Sequence, residues 1–387
     1  KYFHAWFVKG YAQNKLGLYE EALANLERAL QLNPSHDESW VSHGVVLHNL
    51  GRYEDEIASH DQAIAINPNH EWAWNNRGYA LSKLGRYEEA IQNYDHAVIV
   101  KPDRDKAWVN RGDALFELGR YEEAIKSYEQ ALKIKPYDNT WYWHGMALDK
   151  LECYEQSSKS YHQAININPK NARAWHNRGN ALIKLGRHKK TAIKSYDRAL
   201  VIEPNNYAIW NDKGLAFFRM KRYGQAIEDY DRALAINPDC AEAWQNRGLA
   251  LVSLKRYEEA IENFDRAIAI NPDYAEAWLS RSGALFQMEN YEESQINHSR
   301  ALQLNPDLLE VVTQPKQLEF TLAHHNQALE KTPNSLPNLL GKSGVLMLLG
   351  NYQEALDYSN RALEIAPASY QVFFLQAANL SGLKRYE

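Results

Sequence analysis

Residues 40–68 read WVSHGVVLHNLGRYEDEIASHDQAIAINP. Trp40, Gly44 and Leu47 follow one another at spacings of four and three, which places them on one face of a helix. Gly51 stands where a left-handed residue can end that helix. Tyr53, His60 and Ala63 then mark one face of a second helix. Glu54 and Asp55 occupy its first turn, where the helix dipole favours anions. Asn67-Pro68 closes it, because proline removes a donor and restricts the residue before it.

The unit recurs along the chain. Its closing proline returns as Pro34, Pro68, Pro102, Pro136, Pro169, Pro204, Pro238, Pro272, Pro306, Pro333 and Pro367, at intervals of 34, 34, 34, 33, 35, 34, 34, 34, 27 and 34 residues. With the proline numbered position 32, Trp40 is position 4, Gly44 position 8 and Tyr53 position 17. Gly10, Gly44, Gly78, Gly112, Gly145, Gly179, Gly214 and Gly248 all fall at position 8, inside the first helix. Each costs roughly 1 kcal/mol against alanine in a helix interior. A pattern kept at that cost implies close approach of another helix. The expected partners are the small residues at positions 20 and 27, such as Ala90 and Ala97, Ala124 and Ala131, or Ala260 and Ala267. Tryptophan at position 4, from Trp6 to Trp278, is expected to pack between neighbouring helices, since large aromatics dominate burial.

Trp at 4, Gly at 8, Tyr at 17, Ala at 20, an aromatic at 24, Ala at 27 and Pro at 32 resemble the tetratricopeptide repeat, whose period is about 34 residues. The resemblance implies an all-α fold, an α-solenoid in which helix-turn-helix units stack into a right-handed superhelix with a concave groove. Residues 1–306 read as nine regular repeats, 307–333 as a degenerate or shortened repeat, and 334–387 as one further repeat followed by a truncated half repeat. Repeat 5 loses one residue in the Tyr137–Thr140 loop, and repeat 6 gains one between Gly186 and Thr191. From Asp307 to Thr332 there is neither tryptophan nor glycine, and two readings stand equally, a bend of the superhelix or ordinary drift of a dispensable repeat.

A chain of 387 residues exceeds the size at which single cores stop growing, near 250–300 residues. A stacked array escapes that limit, since each repeat leans on its neighbours alone. The net charge is −5, with the two signs interspersed, which argues against the basic stripe of a nucleic-acid binder. No apolar run reaches 18 residues, so no membrane span is expected, and no signal peptide is visible. Cys153 and Cys240 lie in different repeats without metal-ligand spacing. A cytoplasmic, bacterial protein is expected, with no cofactor and no metal. Neither end carries a capping surface, from which the chain is expected to be a piece of a longer protein.

Positions 7 and 25 vary together. Arg77 goes with Asp95, Arg111 with Glu129, Arg178 with Asp197, Lys213 with Asp231, Arg247 with Asp265 and Lys9 with Glu27, and each pair is expected to bridge the two helices of its own repeat. In repeat 5 both become histidine, His144 and His162, expected to meet in a polar contact.

The family resemblance also implies that first-helix positions 2, 5, 6, 9, 12 and 13 face the groove. Position 6 is Asn76, Asn110, Trp143, Asn177, Asp212 and Asn246 in repeats 3 to 8, while Asn75 and Asn211 stand at position 5 and Asn180 at position 9. A side-chain amide offers a donor and an acceptor together, which suits the backbone of an extended peptide. The row resembles the asparagine ladder of O-GlcNAc transferase. Tyr79, Phe116 and Tyr142 add aromatic groove positions, and Trp72, Met146, Leu215, Phe218 and Leu249 apolar ones. The carboxylate clamp of chaperone-binding relatives is not reproduced, because Asn110 follows Lys106 where a second basic residue is needed.

The expected function is a non-catalytic scaffold for a protein or peptide, or for another domain of the same parent chain, in the groove, with neither nucleic acid nor membrane as partner. The alternative is a sensor or substrate-recruiting arm of a larger enzyme, such as a caspase-like protease, an NTPase or a glycosyltransferase. A third possibility is self-association through uncapped ends. No phosphate-binding loop, zinc helix or nucleophile elbow is present, so the chain is not expected to be an enzyme.

Overall fold

The computed structural model describes residues 2–186, 189–305, 308 and 315–383. Among them are 22 helices and no strand. Contacts divide the chain into two units, Lys1–Pro204 and Asn205–Glu387. The first contains α1 (Tyr2–Lys15), α2 (Tyr19–Leu32), α3 (Asp37–Asn49), α4 (Tyr53–Ile66), α5 (Glu71–Lys83), α6 (Tyr87–Val100), α7 (Asp105–Glu117), α8 (Tyr121–Ile134), α9 (Asp138–Lys150), α10 (Tyr154–Ile167), α11 (Ala172–Lys184) and α12 (Lys189–Ile202). The second contains α13 (Tyr207–Arg219), α14 (Tyr223–Ile236), α15 (Ala241–Ser253), α16 (Tyr257–Ile270), α17 (Ala275–Gln287), α18 (Tyr291–Leu304), α19 (Pro315–Lys331), α20 (Leu336–Leu348), α21 (Tyr352–Ile365) and α22 (Tyr370–Leu383). Consecutive helices pack on one another throughout the first unit, and in the second from α13 to α18 and again from α19 to α22, which makes both units all-α solenoids. Of the expected insertion in repeat 6, residues 187 and 188 lie outside the described residues. So do 307 and 309–314 of the degenerate or shortened repeat.

In repeats 2 to 8 the glycine at position 8 meets a ring rather than an alanine, while Gly10 meets Leu26. A Cβ built on Gly112 would lie 2.6 Å from Tyr128 Cε1, one on Gly179 2.5 Å from Tyr196 Cε1, and one on Gly248 2.5 Å from Phe264 Cε1. Real Cβ atoms are not found so close to another heavy atom. The partner is therefore the aromatic at position 24, and the alanines at 20 and 27 take a lesser part. At Gly78 the carbonyl of Ala90 is also near, at 3.1 Å. Tyr94, Tyr128, Tyr161, Tyr196, Tyr230 and Phe264 are the largest fully buried side chains of their repeats.

Position 4 works at the junction between repeats. Trp40, Trp74, Trp108, Trp175, Trp244 and Trp278 donate Nε1–H to the carbonyl of the proline six residues earlier, at 2.8–3.0 Å. Each ring thus holds the turn through which the chain enters its helix. Trp74 and Trp108 pack on Ala97, Val98 and Ala107, from either side of one junction.

The paired charges lie one repeat away from where they were expected. Arg77 meets Asp61 at 2.6 Å, Arg111 meets Asp95 at 2.6 Å, Arg247 meets Asp231 at 2.7 Å and Arg281 meets Asp265 at 2.6 Å. Position 7 therefore reaches back to position 25 of the preceding repeat. The second arm of the same guanidinium serves its own repeat: Arg77 donates to Asn93 at 3.0 Å, Arg111 to Ser127 at 2.7 Å and Arg247 to Asn263 at 3.0 Å. The sequence could not distinguish the two registers, because most copies carry the same two charges. Lys213 reaches Asp229 at 3.3 Å, and Lys9 lies over the Trp6 ring. His144 keeps the register, 3.9 Å from Glu129 and 2.9 Å from the Ser160 hydroxyl, so His144 and His162 belong to different links. His162 stands where Arg178 needs an acid, and Arg178 Nε is buried without a hydrogen-bond partner.

Gly112→Ala forces a methyl group into the Tyr128 ring and is expected to cost about 1–3 kcal/mol, read from chemical denaturation. A double-mutant cycle on Arg247 and Asp231 is expected to give a coupling of about 0.2–1 kcal/mol. The cycle on Arg247 and Asp265 should give none, and equal coupling in both would restore the pairing within repeats.

Candidate functional site

In the first unit α1 touches α3, α3 touches α5, α5 touches α7 and α7 touches α9; in the second, α13 touches α15 and α15 touches α17. No two successive second helices come as close among the described residues. A stack whose first helices stand nearer together bends towards them. The first-helix side is therefore the inner face of each unit.

On that face of the first unit the amides bond to one another. Asn110 Nδ2 on α7 donates to Asn75 Oδ1 on α5 at 3.1 Å, and Asn75 Nδ2 donates to Asn76 Oδ1 at 3.1 Å. The second unit repeats the link, with Asn246 Nδ2 on α15 donating to Asn211 Oδ1 on α13 at 3.1 Å. Asn211 Nδ2 reaches Glu242 Oε1 at 3.3 Å. Position 6 of one repeat thus leans on position 5 of the one before. Asn75 and Asn211, expected to meet a ligand, are buried and serve as acceptors within this chain. Asn76, Asn110, Asn177, Asn180, Asp212 and Asn246 stay half-buried on the inner face.

Phe116 on α7 lies edge-on to Trp143 on α9, with centroids 5.4 Å apart, and Trp143 lies edge-on to Tyr142 at 5.6 Å. Asn177 Nδ2 on α11 reaches the Tyr142 hydroxyl at 3.3 Å and Met146 Sδ at 3.1 Å. Repeats 4 to 6 thus bring together Phe116, Tyr142, Trp143 and Asn177. Tyr79 stands apart, exposed on α5, with His48 at 5.2 Å and the Lys83 ammonium over its ring.

The sequence reading passed over the acids at positions 9 and 12. Asp113 accepts the Tyr128 hydroxyl at 2.8 Å, and Asp149 accepts the Tyr161 hydroxyl at 2.7 Å. Burial pushes the Asp113 carboxyl up to about 6, against the pull of the Tyr128 hydrogen bond. Burial raises Asp149 as well. The available signal was spacing, since Asp113 lies three residues beyond Asn110 and three before Phe116, on the same helix face. Arg104 was also missed. Its guanidinium carbon sits 3.2 Å from the centroid of the Trp72 ring, a cation–π contact.

Repeat 2 departs from the others inside its core. Glu56 and His60 replace the usual alanine and tyrosine, and both are buried. Glu56 lies 2.9 Å from His48 and 3.6 Å from His60. Among the described residues no group of three histidines, cysteines or acids is placed to hold a metal ion. No helix is long and apolar enough to cross a membrane.

Comparison with known proteins accords with this geometry. Tetratricopeptide repeat models match residues 4–36, 75–139, 172–206, 211–275, 251–307 and 338–369, and a TPR repeat model matches 145–186. Residues 53–84, which include Glu56 and His60, match the protein prenyltransferase alpha subunit repeat. The chain belongs to the tetratricopeptide repeat family. No curated protein matches it. Among solved structures it is similar to MamA, at 22% identity over 43% of this chain and 96% of that one, with a TM-score of 0.39. It is similar to YrrB, described as a TPR protein with an unusual peptide-binding site, at 21% identity over 56% and 95%, with a TM-score of 0.37. Human IFIT1, as a dimer with PPP-AAAA, is 17% identical over 93% and 89%, with a TM-score of 0.49.

The raised Asp113 pKa has a definite sign. Its protonated form is favoured in the fold, so the contribution is full below the ordinary value of 3.8 and is lost as pH rises through about 6. Stability is expected to fall by roughly 2 kcal/mol between pH 4 and pH 7, at about 1.4 kcal/mol per pH unit between the unfolded and folded values over the full range. Asp113→Asn should flatten that slope in denaturation curves taken across the range.

Proposed function

We propose that the chain is a non-catalytic scaffold that holds an extended peptide, or an extended segment of its own parent chain, against the inner faces of its repeats. One observation carries the reading. Asn110 and Asn246 occupy equivalent positions, each gives Nδ2 to the repeat before, and no hydrogen bond reaches either Oδ1 among the described residues. Each is an oriented acceptor for a peptide N–H, held in place by its own donor. The arrangement resembles an asparagine ladder of the O-GlcNAc transferase kind, with one difference: the rungs are tied together before any ligand arrives. Phe116, Tyr142 and Trp143 supply an aromatic wall for apolar side chains beside Asn177.

A neutral amide row with scattered rings suits peptide backbone better than phosphate, and the net charge of −5 disfavours nucleic acid. This reading assigns the chain no cofactor and no chemical step. Free Cys153 and Cys240 accord with a reducing, cytoplasmic setting.

The test uses a dodecapeptide selected on the wild-type chain from a random displayed library. Asn110→Ala and Asn246→Ala are each expected to cost about 0.5–1.5 kcal/mol of stability through the lost inter-repeat bond. Combined with Asn177→Ala, they should weaken the peptide at least tenfold by calorimetry in a chain that remains helical. Unchanged affinity would remove the amides from the account.

A further inference from the structure

The residue that precedes a first helix stands where that helix is capped. His36, His70, Asn171 and Asn206 occupy this place, and each accepts a hydrogen bond from a backbone N–H of the first turn. Arg104 holds the same place before α7 but has no acceptor, so α7 starts without a side-chain cap. It also sets a cation at the positive end of the α7 dipole. Its guanidinium makes no hydrogen bond among the described residues. Nε is buried without a partner, and Glu71 lies 3.8 Å from Nη1, beyond hydrogen-bond range. Lys101 shares that carboxylate, at 3.9 Å. Burial lowers the Arg104 pKa against the pull of Glu71, Asp105 and Asp103. Within the chain the guanidinium gains the ring of Trp72 and little else. A residue that breaks several local rules for so small a return points to a binding surface.

The pair is open to a ligand. Arg104 keeps 9% of its surface accessible, and Nη1 and Nη2, unlike Nε, are not enclosed. Trp72 is 46% exposed. It lies three and four residues before Asn75 and Asn76, on the same face of α5, so the pair opens on the inner face beside the amides. We infer that Trp72 and Arg104 form a subsite that sets the register of the bound peptide: the outer end of the guanidinium donates to a main-chain carbonyl, and the open part of the Trp72 ring takes an apolar side chain of the same peptide. The inference rests on the peptide-scaffold reading and adds a specificity element in repeats 3 and 4. Charge selects the acceptor. Residues 101–106 carry three cations and two acids, and Glu71 brings the sum to zero. A balanced field gives an anion no advantage and leaves a neutral carbonyl. Asn110 Oδ1, on the helix that Arg104 precedes, supplies the complementary acceptor for a peptide N–H. Donor and acceptor together match the two groups that each residue of an extended chain leaves unpaired.

The experiment measures the selected dodecapeptide against Asn110→Ala, Arg104→His and Trp72→Ala, with Tm recorded for each. Arg104→His installs the cap that His36 and His70 provide, so binding is expected to weaken about tenfold, or about 1.4 kcal/mol, with Tm unchanged or raised. Trp72→Ala should also weaken binding. It should no longer respond when one apolar residue of the peptide is replaced by alanine, a change to which the wild-type chain does respond. The Arg104→His loss should persist for a peptide whose side-chain and terminal carboxylates are replaced by amides. A loss that vanished there would assign the guanidinium to a carboxylate and overturn the carbonyl contact. Affinity lost with Asn110→Ala but kept with Arg104→His and Trp72→Ala would overturn the subsite and leave the scaffold reading standing. Affinity kept with all three variants, or no peptide selected at all, would overturn both. A lower Tm in Arg104→His with unchanged affinity would show that the guanidinium serves the fold, and would likewise overturn the inference.

Discussion

A ring lying against a glycine sets the separation of the two helices in repeats 2 to 8. The contact leaves no room for a Cβ at Gly78, Gly112, Gly145, Gly179, Gly214 or Gly248. That is why a residue unfavourable in a helix interior returns at the same place in copy after copy. The contact also has a direction. A tyrosine seated there must send its hydroxyl past the first helix, so the core of each hairpin ends in a polar atom at the inner face. Asp113, Asp149 and Asn180 answer that atom. The inner face is therefore tied by hydrogen bonds to the deepest layer of packing, and the raised Asp113 pKa accompanies one of them.

Two further devices join hairpin to hairpin. Tryptophan holds the incoming turn through the carbonyl of the preceding proline. The position-7 arginine spans the junction, with Nε on the acid of one repeat and Nη1 on the Asn or Ser of its own. Individually such exposed pairs are weak. Repeated at successive junctions, they fix the register in which first helices stack, and that register places Asn110 against Asn75 and Asn246 against Asn211. Junctions with altered chemistry stand out. Where His162 replaces the acid, Arg178 Nε is left without a hydrogen bond.

The proposed grip on a peptide follows from this order of assembly. Amides already bonded to their neighbours cannot swing away when a ligand arrives, so little side-chain freedom remains to be lost on binding. The acceptor atoms left over face inward at intervals set by the repeat. Chemistry in the usual sense has no place in this reading, which rests on geometry repeated along a stack.

The sequence by itself determined the helical hairpins, their period and the family. Trp, Gly, Tyr and Pro at fixed positions act locally and are legible one copy at a time. The helix face expected for Asn76, Asn110, Asn177 and Asn246 came from the family resemblance, which implies which first-helix positions turn inward. Pairing between copies was decided by tertiary structure, because identical repeats offer identical partners: Arg247 finds one acid at position 25 in its own repeat and another in the repeat before. Packing alone chose the earlier one, buried Asn75 and Asn211 as acceptors, set the aromatic ring on the glycine, and left Tyr230 without the partner that its counterparts have.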